Sequence, residues 1–141
     1  MTLVWLLAGL LLGAGFLVFA RSRYGKGAQT LALGLVVAAV VYVGFALWYG
    51  AAPHWLLLEG AGVAVYGAFA WLGLRQSVYW LAVGWALHVG WDVGLHLSGT
   101  GAAHAPEAYV WICVSFDLLV AAFVAGYNHS QAAAQADTVA G

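Results

Sequence analysis

The chain has 141 residues, of which 65% are hydrophobic and only 6% are charged, with a formal net charge of −1. A soluble domain of this length carries roughly 35 charged residues, whereas this chain has four Lys/Arg and five Asp/Glu. So few basic residues exclude a nucleic-acid-binding surface, which needs many cations for phosphates. The single cysteine excludes an internal disulfide and a four-cysteine zinc site. The composition therefore predicts an integral membrane protein.

Five apolar runs, each near the length of a membrane-spanning helix, follow one another along the chain. They cover residues 2–20, 28–49, 55–73, 78–98 and 107–127. Because the backbone in lipid must satisfy its own hydrogen bonds, each run is predicted to be a helix. The predicted fold class is all-α, a polytopic membrane protein with one bundle of five transmembrane helices over residues 1–127. A polar cytoplasmic tail is predicted at residues 128–141.

The first run and the basic residues together predict how the bundle is oriented. Val18, Phe19 and Ala20 imitate a signal-peptide cleavage site, but no positive charge precedes the run, so we expect it to be retained as a first span. All the Lys/Arg lie in the first and third connections, which share one side of a five-helix bundle: Arg21, Arg23, Lys26 and Arg75. The positive-inside rule then predicts an N-terminus outside and a C-terminus in the cytoplasm, in a bacterial inner membrane.

The fourth run carries polar residues that are unusual within a membrane. His88, Asp92 and His96 are spaced four residues apart, so on an α-helix they share a stripe about 80° wide. Gly90 and Gly94 form a G-x-x-x-G pair on another side, a pattern typical of close helix packing. We therefore expect the fourth span to be the central helix, in contact with spans three and five.

Acidic residues in two other spans are predicted to meet this stripe. Counting ~1.5 Å per helical residue from the membrane edge brings Glu59 and Asp117 to the depth of the polar stripe. Three layers are predicted: His88 with Asp117, Asp92 with Glu59, and His96 with His54 and His104 at the outer rim. Unpaired ions in a bilayer are costly, so these side chains are expected to face inward and find one another.

Two histidines and three carboxylates at converging depths predict a site for a divalent metal, with zinc the first candidate and iron the second. The predicted ligands are His88, Asp92, His96, Asp117 and Glu59. The three carboxylates are also the candidate catalytic groups, since burial next to histidine suits them to proton transfer. Haem is not expected, because His88 and His96 share one helix face. No nucleotide-binding motif is present.

Several residues near the predicted metal site are weaker candidates for a functional role. Tyr66 and Cys113 lie one or two turns from the acidic residues, and either line the same cavity or belong to the core. Trp85 and Trp91 are expected to pack, and Trp85 also stands where it would wall a substrate cavity. For the remaining histidines, which lie at the rim or in the tail, no ligand role is expected: His54, His104 and His129.

Residues 59–122 carry a pattern that is more specific than hydropathy alone. It consists of Glu59, the turn at Arg75, and then two motifs: Trp85-x-x-His88-x-x-Trp91-Asp92-x-x-x-His96 and Cys113-x-x-x-Asp117. The pattern resembles a family of small bacterial integral membrane proteins catalogued only as a domain of unknown function. The resemblance implies a membrane protein and supplies no substrate.

Three functional classes stay open from the sequence. The first is a membrane-embedded enzyme that acts on a lipid-like small molecule. The second is a small proton- or ion-coupled transporter in which the carboxylates form a relay. The third is a structural or accessory subunit of a membrane complex or homo-oligomer, in which the polar residues only fix helix register. In each class the lipid bilayer is the principal partner.

Overall fold

A computed structural model describes residues 1–127 in full and the course of the backbone as far as residue 140. It contains five α-helices: α1 (Thr2–Ser22), α2 (Gly27–Trp48), α3 (Pro53–Arg75), α4 (Tyr79–Trp91) and α5 (Glu107–Ala140). All-helical architecture is thereby confirmed over the described residues. Four of the helices are long and apolar enough to cross a membrane, namely α1, α2, α3 and the Glu107–Tyr127 part of α5. The predicted tail, residues 128–141, lies outside the residues whose side chains are described.

The fourth predicted span is not one uninterrupted α-helix. After Trp91 the chain continues as a π-helical segment, Asp92–Leu97, and a short 3₁₀-helix then follows at Thr100–His104. Ser98 closes the π segment, since both its backbone N–H and its hydroxyl donate to the Val93 carbonyl, at 3.0 and 2.8 Å. A π-helix takes more residues per turn than an α-helix, so side chains after Asp92 rotate away from the α-helical stripe.

Helix α4 packs against three other helices, α2, α3 and α5, while α5 also lies along α1. The predicted contacts of the fourth span with the third and fifth are therefore confirmed. The main hydrophobic cluster includes four large side chains that are almost completely buried: Leu35, Leu81, Trp85 and Val120. The outward faces are apolar as well, with Leu11 and Leu57 each 75% exposed. A chain that is apolar both inside and outside suits a lipid environment.

The glycines that allow close helix packing are not the predicted ones. Gly90 and Gly94 are exposed, and a Cβ atom added at either would meet nothing within 4 Å. The close approach is instead between α1 and α5, where a Cβ at Gly9 would overlap Ser115 and the Ile112 carbonyl. No neighbouring helix covers Gly90 or Gly94, which the sequence of the fourth predicted span alone does not reveal.

Two basic residues, Arg21 and Arg23, lie together at one end of the bundle. Arg21, at the end of α1, lies over the ring of Phe123 in α5, with 5.7 Å from the guanidinium carbon to the ring centroid. A cavity of about 340 Å³ at this end is lined by Arg21, Arg23 and Val78, the residue that precedes α4. The end of α1, the 123–127 part of α5 and the residue before α4 therefore lie together, as an up-and-down arrangement requires.

Candidate metal centre

His88, Asp92 and Asp117 come together in the middle of the bundle. They are 0%, 0% and 1% exposed, respectively. The Nδ1 atom of His88 lies 2.8 Å from Oδ2 of Asp117 and 3.5 Å from Oδ1 of Asp92. One ligand atom from each residue can be chosen so that all three lie within 4.8 Å of one another. We call these three residues the triad, a group that could hold a metal ion.

Two helices supply the triad. His88 and Asp92 are four residues apart where α4 passes into the π segment, so both side chains face the same neighbour. That neighbour is α5, which runs along α4 and presents Asp117. The predicted pairing of His88 with Asp117 is confirmed. It could be predicted because the depth of a residue in a helix follows from counting residues.

Several polar atoms of the triad have no hydrogen-bond partner among the described residues. They are Nε2 of His88, both carboxylate oxygens of Asp92 and Oδ1 of Asp117. Buried carboxylates normally accept hydrogen bonds, and leaving one without a donor in a region of low dielectric costs several kcal/mol. A cation or a bound proton would remove that cost. The triad is therefore suited either to metal binding or to proton transfer.

Glu59 and His96 form a second buried pair, the outer pair, which is separate from the triad. Nε2 of His96 lies 3.3 Å from Oε1 of Glu59, and the indole N–H of Trp91 donates to Oε2 of Glu59 at 3.2 Å. His96 also places Nδ1 3.4 Å from the Gly101 carbonyl in the 3₁₀-helix. The predicted pairing of Asp92 with Glu59 is therefore wrong. The π segment begins at Asp92 and turns His96, not Asp92, towards Glu59.

Among the described residues, no ring contact, hydrogen bond or ion pair joins His54 or His104 to His96. The ring of His104 packs edge-on against Trp55, with 5.5 Å between centroids, and the exposed His54 ring lies 6.0 Å from the same indole. The predicted layer that joined His96 to the rim histidines is wrong, since His96 stacks on Tyr42 instead. His129 lies outside the residues whose side chains are described.

Tyr42 is the residue that sequence reasoning missed. Its ring stacks on His96 at 4.1 Å between centroids and lies 5.9 Å from the ring of His88, so it spans the space between the triad and the outer pair. Its hydroxyl is buried and has no hydrogen-bond partner among the described residues. The available signal in the sequence was weak, one tyrosine within a mostly apolar helix.

Two weaker candidates also lie beside the triad. The ring of Tyr66 packs edge-on against His88 at 4.8 Å between centroids, and its hydroxyl donates to the Leu87 carbonyl at 3.3 Å. Cys113 is buried, and it lines the same cavity as Asp117. Both residues are also buried with the hydrophobic core, and Tyr66 belongs to its main cluster.

Comparison with known proteins gives a family and no function. The model of a family of unknown function (DUF6010) matches residues 30–131. The chain belongs to this family. No curated protein and no solved structure matches the chain. The DUF6010 match includes every residue of the triad and the outer pair, together with Tyr42, and it leaves α1 outside.

Proposed function

We propose that this DUF6010 protein is a multi-pass membrane protein that binds a divalent transition metal at His88, Asp92 and Asp117. The observation that carries the proposal is the convergence of three buried ligand groups within 4.8 Å. Zinc is the first candidate and iron the second, because imidazole and carboxylate ligands together suit both ions. Calcium and magnesium are disfavoured, since they prefer shells built from oxygen alone.

Charge balance supports a divalent ion at this depth. Two carboxylates and one neutral imidazole around a doubly charged cation give no net charge, which is the least costly arrangement in hydrocarbon. Both oxygens of Asp92 and one of Asp117 have no hydrogen-bond donor among the described residues. A metal ion would give each of these carboxylates a partner.

Three protein ligands favour a catalytic role over a structural one. Structural zinc sites are closed by four protein ligands, whereas catalytic sites keep one position for water or substrate. Glu59 and His96 are paired with each other and stand beyond Tyr42, so we assign them to proton exchange between the triad and the outer end of the bundle. The activity that fits is a membrane-embedded enzyme acting on a lipid-like molecule.

The experiment is elemental analysis of the protein purified in detergent. About one zinc or iron ion per chain is expected in the wild type, and His88→Ala and Asp92→Ala should both lose it. Tyr66→Phe is the matched control, because its ring touches His88 without offering a ligand atom once the hydroxyl is removed. A folded, metal-free wild-type protein would refute the metal proposal.

One observation favours a second function, a proton-coupled transporter. Tyr42 lies between His96 and His88, so the outer pair and the triad form one continuous row of titratable groups. Such rows are typical of intramembrane proton relays. In that case the protein purifies without metal, and Asp92→Asn abolishes pH-dependent transport in vesicles, while Tyr66→Phe retains it.

A further inference from the structure

The cavity of about 340 Å³ at the arginine end of the bundle combines exposed charge with an apolar floor. We call it the basic cavity. Arg21, Arg23 and Tyr24 lie at its rim and are exposed. Its floor is formed by buried apolar side chains from three helices, α1, α2 and α5: Leu17, Ala20, Leu31 and Val124. The basic cavity is therefore polar at its mouth and apolar at its base.

In a membrane, the basic cavity would cross the boundary between lipid headgroups and hydrocarbon. Arg21 is the last residue but one of α1, and Leu17 lies one helical turn further in. Leu31 lies one turn from the start of α2. At ~1.5 Å per residue, the floor is about 6 Å below the arginines. Helices of this length match a ~30 Å core, so the arginines lie at headgroup level and the floor lies beside the first chain carbons.

Both arginines keep their N–H donors free for a ligand. The guanidinium carbon of Arg21 lies 5.7 Å from the ring centroid of Phe123, and that of Arg23 lies 5.5 Å from the ring centroid of Phe19. A guanidinium over a ring face can still donate in its own plane, which is the geometry that pairs with phosphate oxygens. The ion pairs among the described residues all involve histidine, so no carboxylate there neutralises either arginine.

The start of α2 adds to the positive potential of the basic cavity. Gly27 and Ala28, the first residues of α2, line the cavity. No side chain caps this end of the helix, and its first turn contains no acidic residue. The first N–H groups of a helix have no partner within it and carry the positive end of its dipole. Two arginines and an uncapped helix start therefore meet at a cavity whose described lining includes no Asp or Glu.

We propose that the basic cavity binds one phospholipid with a net negative headgroup. The phosphate pairs with Arg21 and Arg23, and the acyl chains begin on the apolar floor. A zwitterionic headgroup fits less well, because its ammonium group would lie beside two cations with no carboxylate in the described lining to accept it. Basic pockets between helices at this level of a membrane suit anionic headgroups. The proposal rests on the proposed function for the membrane and not for the metal.

The test is native mass spectrometry of the full-length protein in a neutral detergent, titrated with phosphatidylglycerol or with phosphatidylcholine of the same chains. One phosphatidylglycerol per chain should bind about 25-fold more tightly than phosphatidylcholine, because each arginine near the membrane surface favours an anionic lipid about fivefold. Equal affinities would overturn the proposal, since any bilayer lipid would then fill the cavity. Displacement of the bound lipid by an equal concentration of inorganic phosphate would also overturn it.

Matched variants locate the site. Arg21→Gln and Arg23→Gln should each weaken phosphatidylglycerol binding about fivefold. Arg75→Gln removes the same charge at the end of α3, outside the lining, and should leave binding unchanged. Ala28→Trp fills the cavity from α2 and should abolish the tight binding, whereas Leu33→Trp, on the same helix but outside the lining, should retain it. An equal loss in Arg21→Gln and Arg75→Gln would refute the site, because net charge alone would then explain binding.

Membrane integration and metal content are measured on the same preparation, so the proposals fail separately. The membranes are washed at high pH before extraction, and loss of the protein in that wash would refute both membrane spanning and the lipid site. A retained protein that binds both lipids equally would refute the lipid site alone. A retained protein that prefers phosphatidylglycerol but carries no metal would sustain the lipid site and refute the metal proposal.

Discussion

His88 sits where ionic, hydrogen-bonding and aromatic contacts meet. Its Nδ1 atom faces both aspartates of the triad, and its ring contacts both Tyr42 and Tyr66. Asp92 is different, since it is fully buried and neither of its oxygens has a hydrogen-bond partner among the described residues. At the scale of single residues, the carboxylate of Asp92 is therefore the group that a bound cation would stabilise most.

Removing the charge of Asp92 is expected to stabilise the metal-free protein and to destabilise the metal-loaded protein. In metal-free protein, Asp92→Asn removes a buried carboxylate whose oxygens accept no hydrogen bond from the described residues, and it should raise the free energy of unfolding by about 1–3 kcal/mol. In metal-loaded protein the same change removes a ligand and should lower stability. Thermal unfolding of the wild type and of Asp92→Asn in detergent, with and without a chelator, measures both changes in stability.

A wild-type protein whose unfolding temperature is insensitive to the chelator would contradict this expectation. Tyr66→Phe again serves as control, and it should respond to the chelator as the wild type does.

The outer pair allows a test of which residues belong to the metal site. Glu59 is held by His96 and Trp91 and makes no ion pair with the triad. We therefore expect Glu59→Gln to leave the metal content unchanged, because glutamine retains an acceptor for the Trp91 indole. Loss of metal in Glu59→Gln, measured by elemental analysis, would instead support the five-ligand set that the sequence predicts.

At the scale of elements, close helix packing depends on which glycines face a neighbour. Gly9 and Gly13 of α1 are buried against α5, and Ser115 of α5 donates a hydrogen bond of 2.8 Å to the Leu6 carbonyl across this contact. Gly90 and Gly94 share the same spacing but face no neighbour. The same glycine spacing therefore permits close helix packing in α1 and not in the fourth predicted span.

Substituting alanine for a glycine of each motif should lower stability in α1 and not in the fourth predicted span. Gly9→Ala places a Cβ atom against the backbone of Ile112 and the side chain of Ser115, which forces α1 from α5. It should cost about 1–3 kcal/mol of stability. Gly90→Ala meets nothing within 4 Å and should be neutral or slightly stabilising, through helix propensity. Thermal unfolding of both variants checks this, and equal unfolding temperatures would contradict it.

At the scale of the whole molecule, the apolar outer surface and the basic end fit a chain that crosses a membrane with one defined orientation. The end of α1 and the 123–127 part of α5 meet at the cavity lined by Arg21 and Arg23. We propose that this end faces the cytoplasm in a bacterial inner membrane, because basic residues are retained on that side.

A reporter fused to the C-terminus tests the orientation. A reporter that is active only in the cytoplasm should be active, and its periplasmic counterpart should be silent. Exchanging Arg21, Arg23 and Lys26 for glutamine, with compensating lysines added before Thr2, should weaken or reverse this preference. Periplasmic activity of the wild-type fusion would contradict the orientation.

The sequence by itself determined the helices, and the tertiary structure decided how they face one another. Length and hydropathy are local properties, so five helices and the level at which His88 meets Asp117 followed from counting residues. The rotation of each helix about its axis depends on its neighbours, and so does a local change of helix type. For that reason the π segment at Asp92, the Glu59–His96 pair, the stacking of Tyr42 and the contact at Gly9 appeared only in the folded chain.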